Sequence, residues 1–126
     1  MTNEEQHHEE LIKGISNQME TVLNSSEQAI YIYLDDLHKV CNKKFASLMG
    51  YSSPEEWAKV EDSFPAFVEK SSQETLVKAY RQAMDKFIAS TVKIVWKKKS
   101  GGNVATSVTM VPVEYEGHIF ALHYIS

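Results

Sequence analysis

With 126 residues the chain is long enough to bury a single core and is read as one domain. A hydrophobic content of 43% and a charged content of 24% are those of an ordinary globular protein. The net charge of −4 argues against a nucleic-acid-binding surface, and no apolar run approaches the ~20 residues a membrane span requires. The acidic start, MTNEEQHHEE, fits neither a secretory nor a mitochondrial signal, and the single cysteine, Cys41, excludes an internal disulfide. A reducing, cytoplasmic compartment fits these features.

Residues 2–24 predict an amphipathic helix. Thr2-x-x-Glu5 reads as a capping box, and acidic residues fill the first turns, where the helix dipole favours them. The apolar positions are Leu11, Ile12, Ile15, Met19, Val22 and Leu23. Ile12, Ile15, Met19 and Val22 follow the three-four-three spacing of a short coiled-coil seam. Two readings stand side by side: the seam packs on its own domain, or it pairs two copies about a two-fold axis. His7 and His8 lie among glutamates, and Glu4 and His8 are four residues apart, within reach of one metal ion. A frayed, exposed terminus is much the better account of them, so no metal site is assigned.

Asn24-Ser25-Ser26 ends this helix and separates it from a second unit, residues 25–126. Residues 29–34, AIYIYL, are rich in β-branched and aromatic side chains and read as a strand. Asp35-Asp36 makes a turn, and residues 37–41 return as a second strand. Next comes residues 40–57, VCNKKFASLMGYSSPEEW. Asn42 is placed to cap a short helix whose inner face carries Phe45, Leu48 and Met49, and Gly50 is placed to stop it. Ser53-x-x-Glu56 is a second capping box, with Pro54 at the first helical position and Trp57 facing inward.

Residues 59–70 form an apolar connector containing Phe64, Pro65, Phe67 and Val68. Ser71-x-x-Glu74 then reads as the capping box of the longest regular helix. Its stripe is Leu76, Ala79, Tyr80, Ala83, Met84 and Phe87, opposite Lys78, Arg81, Gln82, Asp85 and Lys86. Residues 91–99 alternate Val92, Ile94 and Trp96 against Lys93, Val95 and Lys97, and Ser100-Gly101-Gly102-Asn103 is a hairpin turn. The run Lys97-Lys98-Lys99 is therefore read as a solvated hairpin tip. Residues 104–113 and 118–125 are two further strands, and Pro112 suits an edge or bulge because it cannot donate to a ladder. The order is helix, two strands, short helices, one long helix, three strands, which predicts an α+β domain with a five-stranded antiparallel sheet and helices packed on one face.

In residues 40–57 the series Asn42, Phe45, Leu48, Gly50-Tyr51, Pro54 and Glu55-Glu56 resembles the core of a PAS domain, a family of small sensory modules. The resemblance extends over residues 21–125. It includes the element order, the Gly-bearing turn between the first two strands of the tail, Pro112-Val113 closing the second, and Gly117 before the last. It implies a sensory or interaction module with no catalytic output in this chain, holding a small apolar ligand between sheet and helices. The pocket wall it implies comprises Phe45, Met49, Trp57, Phe67, Tyr80, Met84, Ile94, Trp96, Met110, Leu122 and His123. The competing reading of those residues is a filled core without ligand. Tyr80, Ser107, Thr109 and His123 are the candidate polar groups.

The resemblance also allows cofactors to be judged by absence. Members that bond a flavin carry a cysteine in the connector after the second short helix, and residues 58–70 contain none. Haem-binding members typically carry a histidine on the long helix, and residues 72–88 contain none. Covalent flavin and haem are thus disfavoured, and Cys41, His38 and His123 are read as structural. Where the family ends its last strand in a step that couples to an output helix, this chain has Tyr124, Ile125 and Ser126, which suggests an excised sensor or a free-standing one. The expected partners are a second copy, through the N-terminal helix, and a signalling protein, with neither nucleic acid nor membrane. Two alternatives come from other classes: a small α+β cone enzyme with a pocket Asp or His, and a ligand-free dimerisation module.

Overall fold

A computed structural model describes residues 3–35, 37–61 and 66–126. Thr2, Asp36, Phe64 and Pro65, which figure in the capping box, turn and connector above, lie outside the described residues. The elements are α1 (Asn3–Gln18), α2 (Glu20–Ser25), β1 (Ala29–Asp35), β2 (His38–Cys41), α3 (Lys43–Met49), α4 (Pro54–Ala58), α5 (Lys70–Lys86), β3 (Ser90–Lys97), β4 (Asn103–Tyr115) and β5 (His118–Ile125). All five strands form one antiparallel sheet in the order β2-β1-β5-β4-β3. The two terminal hairpins are therefore joined by β1 pairing with β5, Tyr31 opposite His123.

Local chemistry explains most element ends. The Asn42 carboxamide accepts from Phe45 N at 3.0 Å and opens α3; Gly50, at φ 85°, closes it in the left-handed region that costs glycine little. Ser53 caps α4 by accepting from Glu56 N at 3.1 Å. The Glu56 carboxylate accepts from Ser52 N at 2.9 Å and pairs with Lys99 Nζ at 3.0 Å, and both contacts hold its pKa below the usual carboxylate value. Lys99 thereby docks the β3–β4 hairpin on α4, so that lysine is more than a solvated tip. The long helix starts two residues earlier than its sequence suggests: Glu69, not Ser71, is the cap and accepts from Ser71 N at 2.9 Å. The predicted N-terminal helix is broken at Met19 into α1 and α2. Pro112 sits beyond the end of β3, whose pairing with β4 stops at Met110, so the missing N–H interrupts no ladder on that side.

The sheet has two covered faces. Alternation in β1 sends Ala29 and Tyr31 to one face and Ile30 and Ile32 to the other. The first face meets α3, α4 and α5 in a core built on Phe45, Met49, Trp57, Val68, Ile94, Trp96, Val108 and Met110, all fully buried. The second face, with Ile30, Ile32, Phe120 and Leu122, is covered by Leu11, Ile12 and Ile15 of α1 and Leu23 of α2. The N-terminal helix, which precedes the sheet in the chain, folds back over its second face. At Gly14 the helix leaves no room for a side chain: an added Cβ would collide with the Tyr115 hydroxyl and lie 3.0 Å from its ring. Gly14→Leu is expected to lower stability by about 2 kcal/mol by prising α1 from the sheet, measured as a drop in the urea midpoint.

Candidate functional site

At the margin of the first core lies a partly open apolar space of about 220 Å3, between α5 and the β1–β5 pair. Tyr31 and Tyr33 reach it from β1, His123 from β5, Leu76, Val77 and Tyr80 from α5, and Phe67 from the segment before that helix. Period-two alternation puts Tyr31 and Tyr33 on one face, and their cross-strand neighbour His123 joins them because directly paired residues share a face. On α5, Leu76, Val77 and Tyr80 lie within four residues, so they lie along one side of the helix.

The polar groups of this cavity are held uncharged. His123 is 2% exposed, and its ring stacks on Tyr31 with centroids 3.8 Å apart and planes at 15°. Burial pushes its pKa down to about 3, outweighing backbone hydrogen bonds to Ala121 and Tyr31 that favour the cation. The ring contact of its Nδ1 with the Ala121 carbonyl, at 3.0 Å, assigns the proton of the neutral imidazole to Nδ1. Burial, with the neighbouring Tyr33 and Tyr80 phenols, pushes Tyr31 well above its ordinary value. Tyr80 is also raised, by burial and then by Asp35. Tyr33 and Tyr80 meet edge to face at 5.7 Å across the cavity mouth. The rings of three tyrosines and a neutral imidazole thus line an otherwise apolar space.

Of the eleven pocket residues expected from sequence, Phe67, Tyr80 and His123 line this space. Phe45, Met49, Trp57, Ile94, Trp96 and Met110 fill the adjoining core instead, and Met84 packs against it. Their rings interlock: Phe45 lies 5.1 Å from Trp57 and 5.7 Å from Trp96, both edge to face. Trp96 donates from its indole to Thr106 Oγ1 at 2.7 Å, whereas Trp57 Nε1 is buried with no partner among the described residues. Leu122 belongs to the other face, under α1; paired with Val111 it follows the odd register of β4, one residue out of step with the cavity. Ser107 and Thr109 share that odd register and point away, Thr109 bonding to Thr91 at 3.0 Å. Tyr31, Tyr33, Leu76 and Val77 were missed; the alternation within AIYIYL marked the two tyrosines as face-mates, but only β1–β5 pairing sets that face against His123. Cys41 is buried, and burial followed by Glu55 pushes its thiol up to about 12, which makes it an inert apolar side chain.

The six residues of the predicted dimer seam are divided. Leu11, Ile12, Ile15 and Leu23 are buried within the protomer, Met19 packs against the same cluster, and Val22 is 39% exposed.

No protein-family model and no curated protein sequence matches the chain. Its structure is similar to the PAS domain of a protein from Colwellia psychrerythraea, with a TM-score of 0.68 and 19% identity over 89% of this chain and 95% of that one. A PAS domain from a two-component sensor histidine kinase gives 0.66 and 12%, over 90% and 96%. The PAS domain of the fruit-fly ELK potassium channel gives 0.65 and 14%, over 87% and 94%. The chain has the PAS fold: a five-stranded antiparallel sheet with its helices gathered over one face, and here an N-terminal helix over the other.

Proposed function

We infer that this chain is a non-catalytic sensory module whose signal is a small, uncharged, largely aromatic molecule held in the β1–β5–α5 cavity. The observation that carries this reading is the cavity itself, an apolar space walled by Tyr31, Tyr33, Tyr80 and His123 in a fold otherwise closely filled. Its 220 Å3 is below the ~300–1,000 Å3 of drug-sized sites and above the ~150 Å3 of a cavity that takes up benzene. A substituted single ring fits; a flavin or a haem does not. The structural relatives belong to a sensor kinase and an ion channel, proteins with unlike outputs, which supports a role in sensing rather than in a particular reaction.

The enzyme alternative requires a group that exchanges protons near neutral pH. Among the described residues the cavity lining holds no carboxylate, and its imidazole and its innermost phenol titrate far from neutrality on opposite sides. Native mass spectrometry and an absorption spectrum of the freshly purified protein, followed by thermal-shift screening with phenols, indoles and other neutral single-ring compounds, test the proposal. A hit should raise Tm, and Val77→Trp, which places a bulky ring in the cavity, should abolish that rise while leaving the fold intact. If no such compound binds the wild type, or if Val77→Trp binds as well as wild type, the cavity is not the sensing site.

The second reading, homodimerisation through the N-terminal helix, rests on the exposed Val22 beside Met19. Because the other four seam residues are buried in the protomer, such a dimer would exchange α1 between copies. A Leu11→Glu/Ile15→Glu/Met19→Glu variant that elutes as wild type in light-scattering chromatography would sink this reading.

A further inference from the structure

Four of the chain's five histidines meet at one edge of the fold, although they lie at positions 7, 8, 38 and 118. They come from α1, the start of β2 and the start of β5, and gather around Asp35 at the end of β1. His38 Nδ1 lies 2.7 Å from Asp35 Oδ1, and His8 Nδ1 lies 3.2 Å from Asp35 Oδ2. One ligand atom from each of these three side chains lies within 4.8 Å of the others. His8 and Asp35 are partly buried and His38 is buried, so the group sits in a recess. Beside it His7 Nε2 and His118 Nε2 are 3.2 Å apart, and the His118 ring centroid is 6.2 Å from that of His8.

We propose that His8, Asp35 and His38 bind one divalent transition-metal ion of borderline softness, for which zinc is the natural probe. Two imidazoles and a carboxylate are donors that zinc, nickel, cobalt and copper accept, and they are too rich in nitrogen for magnesium or calcium. Tetrahedral zinc with bonds of about 2.0–2.1 Å needs ligand atoms roughly 3.3 Å apart; the two imidazoles lie 3.2 and 2.7 Å from different oxygens of Asp35, and the three donors, within 4.8 Å of one another, need only small side-chain rotations to converge on one ion. Without metal, Nδ1–H groups of neutral His8 and His38 can donate to the two carboxylate oxygens; with metal each ring carries its single proton on Nε2 instead, and the ion takes the place at Nδ1. A fourth position stays open to water. The cation would tie α1 to the β1–β2 turn and so strengthen the cover over the second face of the sheet. This site is separate from the aromatic cavity and does not depend on the sensing proposal.

Spacing along the chain points only to the Glu4–His8 pair, whereas in the fold His8 is paired with Asp35. The test is calorimetric titration of zinc chloride into tag-free, metal-stripped protein, with Tm measured on the same samples. One equivalent of zinc is expected to bind and to raise Tm. His8→Ala and Asp35→Asn, the latter keeping side-chain shape, are each expected to weaken binding by roughly 100-fold or more. His118→Ala should weaken it by less than about tenfold, as a flanking group does. Absence of stoichiometric uptake by the wild type would overturn the proposal. So would unchanged affinity in both His8→Ala and Asp35→Asn, or a loss in His118→Ala as large as in His8→Ala.

Discussion

Replacing Asn42 by alanine is expected to lower stability by about 3 kcal/mol, far more than an ordinary helix cap is worth. The carboxamide oxygen accepts from Phe45 N, which opens α3, and also from Ile30 N in β1 at 3.1 Å. The amide nitrogen donates to the Gln28 carbonyl at 2.9 Å. One side chain, 4% exposed, therefore joins a helix start to the beginning of β1, an interior strand of the sheet. Loss of the cap costs about 1 kcal/mol, and leaving the buried Ile30 N–H without its partner costs about 1–3 kcal/mol more. Asn42→Ser separates the two parts, because serine keeps the cap but is too short to reach β1; it should recover about 1 kcal/mol. Urea denaturation with an unchanged m-value provides the measurement. An alanine variant within 1 kcal/mol of wild type would show that β1 and α3 are held by packing alone.

Acidification should destabilise the protein well above the carboxylate range, through His123. Its pKa falls from 6.5 in the unfolded chain to about 3 in the fold. Between those values the unfolded chain binds the proton and the folded chain does not, so stability is fully present above pH 6.5 and declines as pH falls toward 3. At 1.36 kcal/mol per pH interval crossed, the loss reaches about 2 kcal/mol by pH 5. Glu56 and Glu69, both lowered and both exposed, add to the decline only at more acid pH. His123→Phe keeps a ring against Tyr31 and removes the titration. Its stability should be flat between pH 7 and pH 5, where the wild type slopes. A wild-type profile as flat as that of the variant would mean that water reaches the imidazole and that the cavity is wet and open. The same neutral imidazole is what suits the cavity to an uncharged guest, so the pH profile and the ligand screen report on one property.

The two functional proposals rest on different faces of the molecule. The aromatic cavity lies at the margin of the first core, where α5 and the β1–β5 pair leave a gap that Phe45, Trp57 and Trp96 do not reach. The histidine recess lies at the edge, where α1 crosses the ends of β1 and β2. A ligand in the first and a cation in the second could each change how tightly the sheet is held.

What the sequence determined by itself is the set of local decisions. Asn42, Gly50, Ser53 with Pro54, and the glycine-bearing turn at residues 100–103 act on neighbours a few residues away, so their meaning is legible from spacing, and each element they bound is present. The alternation in β3 and the stripe of α5 likewise gave the buried faces, and their order identified the fold. The start of α5 was displaced because Glu69 competed successfully with Ser71 for the cap, a contest that spacing alone does not decide. Tertiary structure decided everything that depends on which strands are neighbours. β1 pairs with β5 across some 90 residues of chain, and that pairing sends Leu122 under α1 and His123 into the cavity. A shift of one residue exchanges the faces of a strand, and composition is nearly the same on both faces here, so periodicity could not choose between them. For the same reason the seam of α1 was legible as apolar but its partner was not: an apolar stripe records that something covers it, and only the exposed second face of the sheet, with Ile30, Ile32 and Phe120, supplied the cover within the chain.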